Sequence, residues 1–154
     1  MINIREATFE DMALASHIMI TSFRTAFASF VSQETMDACT NPDNCRAMLE
    51  HIYKDGNMYF LIGENQGFIC WQQTNDSIEI VAIHTLPESH GTGLGHALLQ
   101  TALKKIGEQP VFLWAFKNNI RARRFYEKHG FYFDGNERVS EFDQALEVKY
   151  VKNI

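Results

Sequence analysis

Leu86-Pro87-Glu88-Ser89-His90-Gly91-Thr92-Gly93-Leu94-Gly95-His96 is the stretch that decides the fold, because a strand end, a glycine-rich turn and a helix start follow one another without a spacer. The alternate glycines Gly91, Gly93 and Gly95 let the main chain come close to a ligand and turn several N–H groups to one side. The helix start adds roughly half a positive charge. Such a turn suits a pyrophosphate. Spacing separates the families that build one. The dinucleotide fingerprint requires Gly-x-Gly-x-x-Gly, but His96 stands where the third glycine after Gly91 and Gly93 would be, and no obvious strand-end acid follows about 20 residues later. The nucleotide loop Gly-x-x-x-x-Gly-Lys-Ser/Thr is absent. A plain strand-to-helix connection remains the competing reading.

Working outward, the chain reads as alternating helices and strands. Ile2 to Arg5 is a short strand, and Thr8-Phe9-Glu10-Asp11 has the form of a capping box. Met12, Ala15, Ile18, Met19, Ser22, Phe23, Ala26 and Phe27 follow at helical spacing. Further helices are expected after Ser32 and after Asn41-Pro42. The period then changes: Met58 to Gly63, Phe68 to Gln72 and Ile78 to Ile83 read as a three-strand meander. A helix from Leu94 to Ile106 presents Leu94, Leu98, Leu99, Ala102, Leu103 and Ile106 on one face. A strand Val111 to Ala115, a helix Ile120 to Lys128 and strands Tyr132 to Arg138 and Leu146 to Val151 complete the chain. The expected fold is α/β, a mixed sheet flanked by helices, in one domain spanning residues 1–154.

Composition excludes several classes. Fourteen Lys and Arg against 19 Asp and Glu give a formal net charge of -5. That argues against a general nucleic-acid or membrane-surface binder and is compatible with a cationic substrate. No apolar run has the length of a membrane span, and Met1 leads into a polar segment unlike a signal peptide, so a cytoplasmic location is expected. Cys39, Cys45 and Cys70 are an odd number without the close spacing of a zinc site, so no metal is expected.

A second motif lies downstream, Asn119-Ile120-Arg121-Ala122-Arg123-Arg124-Phe125-Tyr126-Glu127-Lys128-His129-Gly130-Phe131. Together with Pro87 to Leu99 it resembles the GNAT N-acetyltransferase superfamily. The downstream run matches the pattern Asn-x-x-Ala-x-x-Phe-Tyr-x-x-x-Gly-Phe at every fixed position. The upstream run matches Arg/Gln-x-x-Gly-x-Gly/Ala, with His90 in place of Arg or Gln. The resemblance implies a mostly antiparallel sheet, acetyl-coenzyme A as co-substrate and an amine as acceptor, and it leaves a homodimer allowed.

On that resemblance, main-chain N–H groups of Gly91, Thr92, Gly93, Leu94, Gly95 and His96 would hold the diphosphate. The strand end Ile83-His84-Thr85 would bond the pantetheine amides, and Asn119 would bond the coenzyme or cap its helix. Tyr126 is placed to protonate the departing thiolate, since a phenol with an ordinary pKa near 10 keeps its proton at neutral pH; a core aromatic is the bland alternative. Glu79, on the strand before the turn, is the favoured base for the amine proton, with a plain strand carboxylate as the alternative. Trp114 occupies the other position where some relatives carry a catalytic Glu. His84 reads as a proton acceptor or as a satisfied strand-end histidine. Acceptor specificity would come from the neighbourhood of Phe23, Phe27, Phe30, Glu34, Trp71 and Phe142. The Ser-Phe-x-x-x-Phe and Ser-x-Glu-x-Met stretches resemble polyamine acetyltransferases of the PaiA kind, which makes a polyamine the leading acceptor. The other class of function is a non-catalytic acetyl-coenzyme A sensor or docking domain.

Overall fold

Ile4–Glu6 (β1) leads to a capped turn in which the Thr8 N–H and hydroxyl both donate to the Asp11 carboxylate, at 2.7 and 3.1 Å. Arg5 pairs with the same carboxylate at 2.6 Å, and its hydrogen bond holds Asp11 well below the usual carboxylate range. This fastens the start of Met12–Phe27 (α1) to the first strand. Gln33–Cys39 (α2) and Pro42–Asp55 (α3) follow, each capped by a side-chain oxygen, Ser32 Oγ and Asn41 Oδ1. The computed structural model describes residues 1–29, 31–141 and 144–152.

The meander forms as expected, with Met58–Gly63 (β2), Gly67–Gln73 (β3) and Ile78–Thr85 (β4) antiparallel in sequence. Leu94–Ile106 (α4), Val111–Phe116 (β5), Ile120–Lys128 (α5), Tyr132–Val139 (β6) and Leu146–Lys152 (β7) follow within a residue or so of the expected limits. The seven strands make one sheet in the order β1-β2-β3-β4-β5-β7-β6. Only β4 and β5 run parallel, so the sheet is mostly antiparallel.

Alternation along the strands sends side chains to two cores, one on each face. On one face α4 lays Leu94, Leu98, Leu99, Ala102 and Ile106 over Leu61, Ile69, Ile80 and Leu113. On the other, α1 and α3 bring Met12, Ala15, Ile18 and Leu49 against Phe60, Ile62 and Phe68. The α1 stripe departs from the expected pattern at its C-terminal end. Ala26 is exposed and Ser22 half-buried, because that end of the helix faces a cleft instead of the core.

Two features of the sheet position the site. The parallel ladder stops at Ile80↔Leu113, although β4 runs on to Thr85 and β5 to Phe116. The strands therefore splay, and backbone groups of residues 81–85 on that side have no strand partner. A register shift at Cys70/Trp71 on β3 accompanies the bend of β4, leaving Val81 outside the register. Among the described residues no helix is long and apolar enough to cross a membrane.

Leu98 is fully buried and Leu146 is 43% exposed. Leu98→Ala is expected to lower the unfolding free energy by about 2–5 kcal/mol, whereas Leu146→Ala should change it by no more than about 0.5 kcal/mol. Urea denaturation followed by tryptophan fluorescence measures both, and equal losses would contradict this placement of the core.

Candidate active site

The turn after β4 is set by torsion rather than by crowding. Gly91 has φ +82° and Gly93 φ +88°, and a Cβ at Gly91 would meet nothing within 4 Å. Glycine is required there because L side chains rarely adopt that left-handed backbone. At Gly95 neither reason is strong: a Cβ there would lie 3.4 Å from the Phe125 ring, an ordinary van der Waals contact.

Gly93 caps α4 without a side chain, and the first bond of the helix runs from Ala97 N–H to Gly93 O at 2.9 Å. The N–H groups of Gly91, Gly93, Leu94, Gly95 and His96 consequently donate to no described residue. Those of Gly93, Leu94, Gly95 and His96 are the orphan donors of a helix start, and Gly91 adds one from the turn before it. Thr92 does not share this geometry. Its N–H donates to Ser89 O at 3.2 Å, its hydroxyl donates to the same oxygen at 2.6 Å, and it does not line the cleft.

The cleft, about 1010 Å³, runs from this turn between α4 and α5 toward the splay of β4. That is the upper end of the range for small-molecule sites, about 300–1,000 Å³. Ile83 and Thr85 line it. His84 turns the other way, with Nδ1 3.0 Å from Ser22 Oγ and its ring beside Phe68. Burial lowers its pKa to about 4, so the imidazole is neutral at physiological pH and a poor direct acceptor for an amine proton. Ser22 itself lines the cleft, together with Thr25 and Ala26 of α1.

From α5, Asn119 Oδ1 accepts from Ala122 N–H at 3.2 Å, the N-cap reading, while the residue also faces the cleft. Tyr126 is 8% exposed, its ring packed on Phe125, Phe131 and Tyr150. It is a packed aromatic that also lines the cleft. Its hydroxyl has no hydrogen-bond partner among the described residues, yet no buried side-chain oxygen there is left unsatisfied. The hydroxyl therefore opens into the cleft that the residue lines. Burial raises the phenol well above its ordinary value, so it holds its proton.

Glu79 lies outside the cleft lining. Half-buried on β4, it accepts a hydrogen bond from Gln72 Nε2 at 3.1 Å and is registered opposite Phe112 of β5. The expected acceptor-side residues also stand apart from the cleft. Phe23 and Phe27 pack edge to face, Phe27 packs on Phe116, Trp71 is buried and stacks on Tyr59, and Glu34 is exposed on α2. Phe30 and Phe142 fall outside the described residues.

Every charged side chain in the lining is basic. Arg121 and Lys128 are joined there by His90, His96 and His129, and no Asp or Glu of the described residues lines the cleft. In a chain of net charge -5 this is a local inversion of sign suited to an anion. His129 Nδ1 lies 2.7 Å from Phe125 O, which requires a proton on that nitrogen, and its Nε2 lies 2.7 Å from His96 Nδ1, a contact in which one ring donates and the other accepts. Sequence reasoning did not place Ser22, Thr25, Arg121, Lys128 or His129 in the site. For α5 a signal existed, since Ala122, Phe125, Tyr126 and His129 lie three and four apart and share a helix face.

A family model described as "Acetyltransferase (GNAT) family" matches residues 16–131, more than half of the chain. A Mycobacterium tuberculosis protein named a probable N-acetyltransferase is 38% identical over 60 residues, which cover 39% of this chain and 34% of that protein. The chain thus spans about a third of that curated relative in the matched region. Among solved structures, PaiA N-acetyltransferase from Thermoplasma acidophilum in complex with coenzyme A superposes with a TM-score of 0.77 at 19% identity, covering 100% of this chain and 99% of that one. YjaB from Escherichia coli, in its apo form, gives a TM-score of 0.74 at 22% identity, covering 98% and 97%. At these identities the structural likeness establishes the fold. The matched region contains the glycine turn, the splayed strands and the helix of Tyr126, and the chain belongs to the acetyltransferase (GNAT) family.

Proposed function

We propose that this chain is a single N-acetyltransferase domain that moves the acetyl group of acetyl-coenzyme A to a primary amine. The observation that carries this reading is the set of unpaired N–H groups at Gly91, Gly93, Leu94, Gly95 and His96, at the foot of an acid-free cleft that also receives the Tyr126 hydroxyl. Those donors suit the diphosphate. The free backbone edge of residues 83–85 suits the amides of a pantetheine arm laid in the splay between β4 and β5.

In the reaction the neutral amine attacks the thioester carbonyl carbon and a C–N bond forms. The tetrahedral intermediate then collapses with loss of the C–S bond. Tyr126 gives its phenolic proton to the sulfur as it leaves and regains one from water before the next turnover; burial, which keeps the phenol protonated until then and disfavours a standing phenolate, makes that return favourable. The proton lost by the amine passes through water to a carboxylate, for which Glu79 remains our assignment; its position outside the cleft requires the water.

The acceptor is an amine of a small molecule or peptide. A polyamine is our first candidate, on the Ser22-Phe23, Phe27 and Ser32-x-Glu34-x-Met36 resemblance and the PaiA neighbour. Because no carboxylate of the described residues lines the cleft, the second ammonium of such a substrate would have to reach one beyond the lining, for which Glu34 and Glu79 are our candidates. We place the enzyme in the cytoplasm, as a monomer or homodimer.

Tyr126→Phe is expected to lower kcat by about 100-fold or more, within the range for loss of a general acid, while calorimetry finds coenzyme A binding within about threefold of wild type. With its phenol raised, wild-type kcat should show no falling limb from Tyr126 up to about pH 9. Tight coenzyme binding without amine-dependent thiol release in either protein would turn the reading to a non-catalytic sensor. A panel of amines with mass detection of product tests the acceptor. Spermidine and spermine are expected to turn over, and turnover of another amine alone would remove the polyamine.

A further inference from the structure

The turn carries an anomaly that its backbone leaves unexplained: His90 stands where the resembling pattern has Arg or Gln, and a basic side chain nevertheless reaches the spot from elsewhere. Arg121, in the first turn of α5, extends across the cleft mouth to place Nη1 2.6 Å from His90 Nδ1. Both residues line the cleft. From these contacts we infer that Arg121 supplies the diphosphate-binding side chain of the site and that His90 is its positioning residue. The inference rests on the acetyl-coenzyme A reading and names the side chains that serve it.

The direction of the contact follows from the donor inventory. Guanidinium only donates, and the same Nη1 stands 3.5 Å from His90 Nε2, so it meets the ring beside Nδ1, the nearer nitrogen, which is the acceptor and carries no proton. Desolvation and the Arg121 charge both push His90 below its ordinary pKa, against the opposing pull of the nearby Glu88 carboxylate. His90 has a fixed base as well, because its backbone N–H is bonded to Pro87 O at 3.1 Å.

Of the described arginines Arg121 alone lines the cleft, and like Arg24, Arg123 and Arg124 it forms no ion pair with a carboxylate among the described residues. Arg5, Arg46 and Arg138 each pair with a carboxylate, Asp11, Glu50 and Glu147. Arg121 meets no carboxylate among the described residues, and none lines the cleft. No carboxylate pairs with it directly, and its remaining N–H donors are free to take two phosphate oxygens at once. A neutral ring accepting one N–H orders the long side chain before the ligand arrives, which lowers the entropy lost on binding. A second guanidinium at position 90 would repel Arg121; the imidazole complements it. The short residue at 90 and the arginine at 121 thus read as one device shared between the turn and α5.

The test is calorimetry with coenzyme A, 3′-dephospho-coenzyme A and pantetheine on wild type, Arg121→Ala, His90→Ala, His90→Gln and the double alanine variant, with melting curves to confirm folding. Arg121→Ala is expected to weaken coenzyme A and its 3′-dephospho form by the same factor, about tenfold or more for a charge-assisted bond to phosphate. Pantetheine, which has no diphosphate, should be unaffected. His90→Ala should cost about threefold, a fraction of that interaction, and the double variant should bind no more weakly than Arg121→Ala alone. His90→Gln, whose amide oxygen can accept from Arg121, should bind like wild type. Unchanged affinity in Arg121→Ala would overturn the inference. So would a loss confined to coenzyme A, which would move Arg121 to the 3′-phosphate, and so would losses at 90 and 121 that multiply, which would make His90 an independent ligand. If wild type binds none of the three compounds, the acetyl-coenzyme A reading itself fails and takes this inference with it.

Discussion

A helix must begin somewhere, and its first N–H groups have no carbonyl of their own to meet. In most helices a Ser, Thr, Asp or Asn side chain supplies one, as Ser32 and Asn41 do here for α2 and α3. At α4 the cap is Gly93, in a left-handed conformation and with no side chain to offer. The unsatisfied donors of Gly91, Gly93, Leu94, Gly95 and His96 are thereby turned outward together. The rest of the molecule depends on that choice. The buried stripe from Leu94 to Ile106 anchors α4 on the sheet, so the residues that carry the donors line a fixed cleft, with Phe125 of α5 lining it beside them.

The second constraint is the end of the parallel ladder at Ile80↔Leu113. β5 pairs with β7 along its whole length, from Val111↔Lys152 to Phe116↔Glu147, so its far edge stays in the sheet while its near edge parts from β4 and leaves the last residues of β4 with a free edge. With β7 holding the far edge of β5, the two strands part without β5 leaving the sheet. Turn, splay and α5 converge on Tyr126, whose ring is held by three aromatic neighbours while its hydroxyl stays without a described partner.

Much of this was legible before any coordinates. The stripe of α4, the change of period at Met58 and the asparagine before α5 are local signals, and the elements they announce form within a residue or so of the limits read from them. The cradle was legible as glycines, since only torsion had to be inferred. What local pattern could not carry was reach. Thr92 lies between two cradle residues, but the short turn Pro87–Ser89 places Ser89 O where it captures the Thr92 N–H. Ser22 joins His84 across 62 positions, and Arg121 joins His90 across 31, contacts that exist only once the sheet has closed. Ser22 and Ala26 read as part of an apolar stripe, yet α1 outruns the core and ends against the cleft. Glu79 has the residue type of a base and an appropriate strand, but its carboxylate is engaged by Gln72 away from the cleft lining.

The central claim, that orphan amides at a glycine-capped helix start receive the diphosphate, is tested most directly by amide chemical shifts during a coenzyme A titration. The account predicts that the amides of Gly91, Gly93, Leu94, Gly95 and His96 move the most, whereas Thr92, already bonded to Ser89 O, moves less than its neighbours on both sides. Shifts that leave this turn unmoved and gather instead elsewhere, for instance around the second hollow beside Tyr59 and Trp71, would contradict it.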